Sequence, residues 1–480
     1  MTRPSLVVHG HFYQPPRLDP FTGTMPRDPT AAPAHDWNER ISADCYRPNA
    51  EHGNLAAISW DVGPTLAGWL AERDRVAYRG FVDGDGGRNG MAQPFHHAIM
   101  PLASAADRRT EVRWGLRDFE LRFGRRPTGM WLPETAVDRA TLRLLVDEGI
   151  DHTILAPWQV EGGPDLDTRT PVRLDLGDGR SIVAVLYDGL LSAAVSFEPG
   201  ATTDADDFVW HRLLPRFEQG PRDAGSAPLV VIATDGELYG HHQPWRDRFL
   251  ARLVGRTAPT DRPFATPSLV EAVRRAEAAG LPTVRLRDHT SWSCHHGIAR
   301  WETACDCVSD GSWKGPLRAA LDRLAGGVDA LSDSLLAALP GAPDAVAARD
   351  RWVDVVVGVT TTRALAAEML DDTATDVERR TLSDVMDAQR WRLAMYASCA
   401  WFWERPDRVE TAGALRAAVR AARLIDRRAR SGLEATLRDD LALIDHDGLD
   451  GLGLLDGALH VVGAPNQPGN PSARGLRATG

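Results

Sequence analysis

Short apolar runs separated by long polar stretches mark the first three hundred positions of this chain. Leu6-Val7-Val8 predicts an opening strand, and the polar string from His9 to Arg17 predicts a loop after it. Residues 128–133 predict a second kind of unit. They read as a strand, Thr135 with Asp138 three positions on reads as a capping box, Leu142, Leu145 and Val146 form a helical stripe, and Gly149 stops it. Thr153-Ile154-Leu155 then starts another strand. A strand–helix–strand crossover of this kind makes its two strands parallel, with both carboxyl ends on one side. Further β-like runs at 182–186, 229–233 and 283–286 are spaced as in a parallel barrel.

Beyond about residue 315 the period changes. Ala, Leu and Arg recur at three- and four-residue intervals through 317–339, 345–370, 377–403 and 412–427, interrupted by Pro340 and Pro406, and Val355-Val356-Val357 is the one β-like run. The pattern predicts an α/β fold: a barrel over 1–314, a helical domain over 315–463, and a disordered Pro-, Gly-, Ser- and Asn-rich tail over 464–480. No internal repeat is evident.

Two of the apolar runs end on a carboxylate. Residues 128–133 lead into Glu134 through Trp131-Leu132-Pro133, and residues 229–234 lead into Asp235-Gly236-Glu237. Strands that deliver acids at their carboxyl ends are how barrel enzymes assemble a site, and two carboxylates are the basic equipment for breaking a glycosidic bond. Residues suited to holding sugars surround both acids: Trp131 before Glu134, and Tyr239, His241, His242 and Trp245 after Asp235. Two more such clusters are His9-x-His11 with Tyr13, Gln14 and Arg17, and Trp292-Ser293-Cys294-His295-His296 with Arg300 and Trp301. Fifteen Trp against 12 Phe and 6 Tyr lean the same way, because indole offers sugar C–H faces a flat apolar surface beside a donor.

Charge and composition then narrow the class. Acidic residues outnumber basic ones 66 to 55 with no basic cluster, which argues against nucleic acid as a partner. No segment approaches the ~20 apolar residues of a membrane helix, so no membrane partner is expected, and the apolar stretch at the amino terminus is too short for a signal peptide. Five cysteines, at 45, 294, 305, 307 and 399, form no regular framework, which fits a reducing compartment. The expected location is cytoplasmic, the expected partner an oligo- or polysaccharide, and no cofactor is needed.

These motifs resemble glycoside hydrolase family 57. The similarity rests on the His/Gln-Pro element within residues 9–15, the Trp-Leu-Pro-Glu element at Glu134 and the Asp-Gly-Glu-Leu-Tyr-Gly-His element at Asp235. Residues 91–97 echo a further short motif loosely. The resemblance implies an incomplete seven-stranded parallel barrel followed by helices, with Glu134 as nucleophile, Asp235 as general acid/base, and His9 and His11 against the sugar at the cleavage point. The later part of the chain resembles a bacterial subgroup whose C-terminal helical extension has no known function. The implied activity is retaining cleavage or transfer on α-linked glucan, as in amylases and 4-α-glucanotransferases, with the charge of Glu134 and partial burial raising the pKa of Asp235. Gln14, Trp131, Glu237, His241, His242, Trp292 and His296 are the accompanying substrate-binding candidates.

Other readings stay open at this stage. Glu237, two positions from Asp235, faces the same side of an extended strand end and is a second candidate acid. Asp188 after the run 182–187 is either a sugar ligand or a turn residue, and Trp158 and Trp292 are either stacking platforms or core. His9, His11, His241, His242 and Asp235 offer the ligand types of a metal-dependent deacetylase or mannosidase. Cys294, His295, Cys305 and Cys307 offer a separate thiolate–imidazole set, with buried thiols as the alternative. A carbohydrate-binding protein without turnover is the third class.

Overall fold

The structure, a computed structural model, describes residues 3–162, 166–218, 227–446 and 448–460. The expected tail, 464–480, lies outside them. The described chain forms two compact units. The first comprises 1–14, 27–95 and 119–297, and the second 15–26, 96–118 and 298 onward.

In the first unit, strands β1 (Ser5–Phe12), β2 (Ser59–Val62) and β3 (Gly90–Met91) follow one another in space, and β7 (Leu229–Asp235) lies on the other side of β1, all parallel. Bridges Ala92↔Met130 and Gly129↔His152 continue the parallel order from β3 to β4 (His152–Leu155). β4 pairs in parallel with β6 (Arg180–Leu186). β5 (Val172–Gly177) is antiparallel to β6 and carries β8 (Thr283–Val284) on its far edge. β6 and β7 belong to separate sheets, and the Asp188 N–H donates to the Val231 carbonyl at 2.7 Å where the circuit turns back towards β7. The result is an α/β fold with seven parallel segments in an incomplete ring.

Strand periodicity divides this unit into two apolar layers. Leu6, Val8 and Phe12 of β1, Trp60 and Val62 of β2, and Val230 and Ile232 of β7 pack outward among helix residues such as Leu66, Leu70 and Phe81. The alternate residues Val7, Leu229, Val231 and Ala233 face inward with Ile154, Val183, Val185 and Trp131. Continued along the same inward parity, β1 reaches His9 and His11, β2 reaches Ser59 and Asp61, and β7 reaches Asp235. The inner face is therefore apolar at the strands' amino ends and polar at their carboxyl ends.

Several local expectations are corrected. The loop predicted from His9 begins four residues later, at Tyr13, because β7 pairs the β1 backbone as far as His11 and β2 as far as Phe12. Residues 128–133 are not a full strand: pairing is confined to Gly129 and Met130, and Pro133, which has no N–H, opens a 3-10 turn, Pro133–Thr135. Thr135 is not the cap. Asp138 is, accepting from Thr141 N–H at the start of the helix Arg139–Asp147, whereas Thr135 hydrogen-bonds Gln159. The run 283–286 shortens to β8.

The second unit is largely helical: Lys314–Ala337, Ala345–Val356, Thr362–Met369, Asp376–Ala394, Val409–Ala429 and Leu433–Leu441. The expected segment 345–370 is two helices, broken where Gly358 takes φ +80°, and Val355 and Val356 end the first of them instead of forming a strand. The segment 377–403 stops at Ala394 and resumes only as the short helix Cys399–Phe402. Among the described residues no helix is long and apolar enough to cross a membrane.

Candidate active site

Asp61 organises the polar end of the ring. Its Oδ1 meets His9 Nε2 at 3.0 Å, and its Oδ2 meets His11 Nδ1 at 2.8 Å and accepts from Gln93 Nε2 at 2.8 Å. His9 Nδ1 lies 3.1 Å from Ser59 Oγ. All are buried. Burial alone lowers the pKa of His11, but the charge and hydrogen bond of Asp61 outweigh it, Asp235 and Glu237 add to the effect, and the result is about 9. His9 goes the other way, its desolvation winning over the same partner. For Asp61, burial acts to raise the pKa, yet the two imidazoles hold it below the usual carboxylate range. The group thus amounts to a neutral His9 and a buried His11–Asp61 ion pair. Both rings stack on Trp131, at centroid distances of 4.9 and 5.0 Å.

Glu134 follows Trp131 on a strained turn, with φ +57° at Glu134 and +47° at Thr135. The backbone there is fixed by Trp292 N–H donating to the Glu134 carbonyl at 3.1 Å. On the side chain, Oε2 accepts from Trp292 Nε1 at 3.1 Å and from Ser293 Oγ at 2.8 Å. Burial raises the Glu134 pKa, those two donors and His11 oppose the rise, and the charge of Asp235 reinforces it.

Asp235 ends β7 in register with His11, which is itself in register with Asp61. Its side chain is exposed, unlike that of Glu237. Glu237 Oε1 accepts from Tyr46 Oη at 2.6 Å and Gln14 Nε2 at 3.4 Å. Desolvation, with the Asp235 charge, pushes its pKa to about 7. Two glycines make this loop possible. A Cβ on Gly236 would lie 2.3 Å from the Phe12 ring, and one on Gly240, at φ +146°, would lie 2.4 Å from the Asp44 carbonyl oxygen.

Aromatic rings extend from Trp131. Trp292 meets it edge-on at 5.0 Å, Tyr187 meets Trp292 at 6.4 Å, and the exposed Trp158 meets Tyr187 at 6.0 Å while donating to Ser291 O. Trp158 and Trp292 are thus neither isolated platforms nor plain core.

Of the residues singled out in the sequence, Glu134, Asp235, Glu237, His9, His11, Gln14, Trp131 and Trp292 come together. His241 and His242 flank the group: both donate backbone N–H to the Glu237 carbonyl at 3.0 Å, and His241 Nδ1 lies 3.0 Å from Asp44 Oδ2. His296 belongs to a different cluster, with Cys294. Asp188 is structural. It caps the helix Gly189–Phe197 and pairs with Arg216 at 2.5 Å.

Asp61, Gln93 and Tyr46 are the participants that sequence reasoning did not single out, and Ser293 stood there only as a member of the Trp292 cluster. Asp61 carried a signal, since Ile58-Ser59-Trp60-Asp61-Val62 alternates and places an acid near a strand end. Tyr46 carried none, for it sits on a π-helical turn, Ser42–Tyr46, inserted between two short helices.

Residues 90–285 match the profile of glycosyl hydrolase family 57. The chain carries a glycosyl hydrolase family 57 domain. Residues 310–445 match a domain of unknown function, DUF3536, which follows the family 57 domain in the helical region. No curated protein matches the chain by sequence. Among solved structures the fold is similar to an exo-type maltose-forming amylase from Pyrococcus sp. ST04, with TM-score 0.73 and 15% identity over 91% of this chain and 83% of that one. It is also similar to a branching enzyme from Pyrococcus horikoshii, with TM-score 0.63 and 14% identity over 92% and 95%. An α-amylase from Thermotoga maritima aligns with TM-score 0.57 and 13% identity over 95% and 99%. At such identities the likeness is one of fold.

Proposed function

We propose that this protein cleaves or transfers α-glucosidic bonds in a glucan or related oligosaccharide, with retention, through Glu134 and Asp235. The observation that carries the reading is the environment of Glu134. It is a carboxylate on a strained turn, aimed by Trp292 and Ser293, at the polar end of a parallel ring where Asp235 supplies a second carboxyl group. The Glu134 carboxylate attacks the anomeric carbon while the Asp235 carboxyl gives its proton to the departing glycosidic oxygen. Asp235, now ionised, takes a proton from water or from a sugar hydroxyl as that oxygen displaces Glu134. Burial makes Glu134 a stronger base, and its two hydrogen-bond donors oppose that rise and favour the ionised nucleophile. The amylases and the branching enzyme with which the fold is shared support the substrate class.

A second assignment of the acid is favoured by one observation, the rise of Glu237 to about 7, which suits a group that must stay protonated near neutrality. The metal-dependent alternative has less support, because His9 and His11 both direct a ring nitrogen at Asp61 and His241 directs one at Asp44.

The test is a product screen on α-glucans, other α-linked oligosaccharides and acetylated sugars, with wild type, Glu134→Gln, Asp235→Asn and Glu237→Gln, with and without chelator. Loss of turnover in Glu134→Gln and Asp235→Asn, with product retaining its anomeric configuration and no chelator effect, supports the proposal. Activity on aryl glycosides with good leaving groups identifies the acid, since it survives best in the variant lacking that acid. Chelator-sensitive acetate release that survives Glu134→Gln overturns the proposal.

A further inference from the structure

We infer that Trp158 is the stacking platform of a second sugar subsite, set back from the bond that is cleaved, and that the substrate is a glucan oligomer long enough to reach it. The inference rests on the glycosidase reading for the chemistry at Glu134 and goes beyond it in assigning the remote subsite.

Trp158 is 41% exposed, yet its ring is fixed on two sides. Its Nε1 donates to the Ser291 carbonyl at 2.9 Å, and the Tyr187 ring meets it at 6.0 Å with the two planes at 90°. The indole N–H is thus spent on the protein, and what the side chain offers outward is ring carbon. Beside it stands Gly189, where a Cβ would come 3.8 Å from Cζ3, so that neighbour puts no side chain over the indole. Leu190, next in the chain, is exposed as well. A flat apolar surface that is already immobilised suits the C–H face of a pyranose, because little side-chain freedom is lost when the sugar settles on it.

The turn that carries Trp158, Pro157–Gln159, is fastened to the catalytic turn. The buried Gln159 accepts through Oε1 from Ala156 N–H at 2.8 Å and from Thr135 Oγ1 at 2.9 Å, and its Nε2 donates to the Thr135 carbonyl at 2.8 Å. Thr135 follows Glu134 on the strained turn, and Ser291, which accepts from Trp158, directly precedes Trp292 and Ser293, the two donors to Glu134. Platform and nucleophile are therefore two points on one hydrogen-bonded frame, all of it within the first unit. Between them the rings of Tyr187 and Trp292 make a continuous aromatic row. A glucan seated on Trp158 is thereby held in fixed register with the attacking carboxylate.

The experiment measures kcat/KM for glucose oligomers from maltose to maltoheptaose with the wild type, Trp158→Ala and Trp158→Phe. The affinity of maltoheptaose is measured by calorimetry for the same three in a Glu134→Gln background. Trp158→Ala should lose about tenfold on the longest oligomers in both measurements, with the loss shrinking as the chain shortens. Trp158→Phe, which keeps a ring but has no N–H, should recover most of it. A loss of equal size at every length, an unaltered affinity for maltoheptaose, or a Trp158→Phe variant as impaired as Trp158→Ala would each overturn the assignment. The first and last of these would show that the indole serves only to anchor the Ser291 segment. Affinity that depends on Trp158 in a protein without glucan turnover would uphold the platform and sink the glycosidase reading, whereas turnover with affinity indifferent to Trp158 would do the reverse.

Discussion

Tyr46 donates its phenol hydrogen to Oε1 of Glu237 at 2.6 Å, across 191 positions of sequence. Despite that donor, desolvation holds the Glu237 pKa at about 7, above the 4.5 of a free glutamate. A folded pKa raised in this way favours the protonated form. Its stabilising contribution is complete below pH 4.5 and is lost as pH climbs from 4.5 through about 7. Glu237→Gln removes the ionisation, so urea midpoints measured on either side of that interval should fall more with pH in the wild type than in the variant. Each tenfold change in proton affinity is worth about 1.4 kcal/mol. Equal slopes would mean that Glu237 is not desolvated as described.

His11 predicts the complementary behaviour at higher pH. Its pKa, raised from 6.5 to about 9, gives a contribution fully present below 6.5 and lost as pH rises through 9. In His11→Asn the alkaline loss of stability should flatten, as read by thermal unfolding across that range. A wild-type curve that stays level up to pH 9 would contradict the His11–Asp61 ion pair.

Ser293→Ala deletes a hydrogen bond to Glu134 that favours its ionised form, and the Glu134 pKa should rise further. For a hydrogen bond to a charged group, worth about 1.5–3 kcal/mol, the acidic limb of kcat/KM should move up by one to two pH units. A fall in activity at all pH values with no movement of that limb would assign Ser293 a packing role only.

Asp188→Asn should cost about 3 kcal/mol of stability, because it weakens a buried helix cap and leaves Arg216 without its charge partner. KM for glucan should hold steady. A rise in KM with unchanged stability would instead return Asp188 to the role of sugar ligand.

How far the sequence reveals this site depends on the element each residue occupies. Glu134 and Asp235 were legible because both follow apolar runs, and strand parity carries that signal into the ring. Asp61 obeys the same rule, but β2 is only four residues long and offers too little alternation to stand out. Tyr46 reaches Glu237 from a π-turn with no periodic pattern of its own. Thr135 and Asp138 misled for a related reason. The capping box needs helical backbone directly after its first residue, and here the strained turn comes first. In the helical half, the long periods marked helices but not their ends: the break at Gly358 is a local one, an exposed glycine in the left-handed region just past the helix Ala345–Val356, and the apolar spacing runs on past the stop after Ala394.

The shared register of Asp61, His11 and Asp235 across three adjacent strands has a consequence for how this domain tolerates change in length. Inserting or deleting a single residue early in β1 would exchange the two faces of the strand, turning Gly10 and Phe12 towards Trp131 and sending both imidazoles out among Leu66 and Phe81. Substitutions elsewhere on the strand can be absorbed one at a time, but a change of reading length cannot. β1 is therefore a stretch where insertions must come in pairs or not at all.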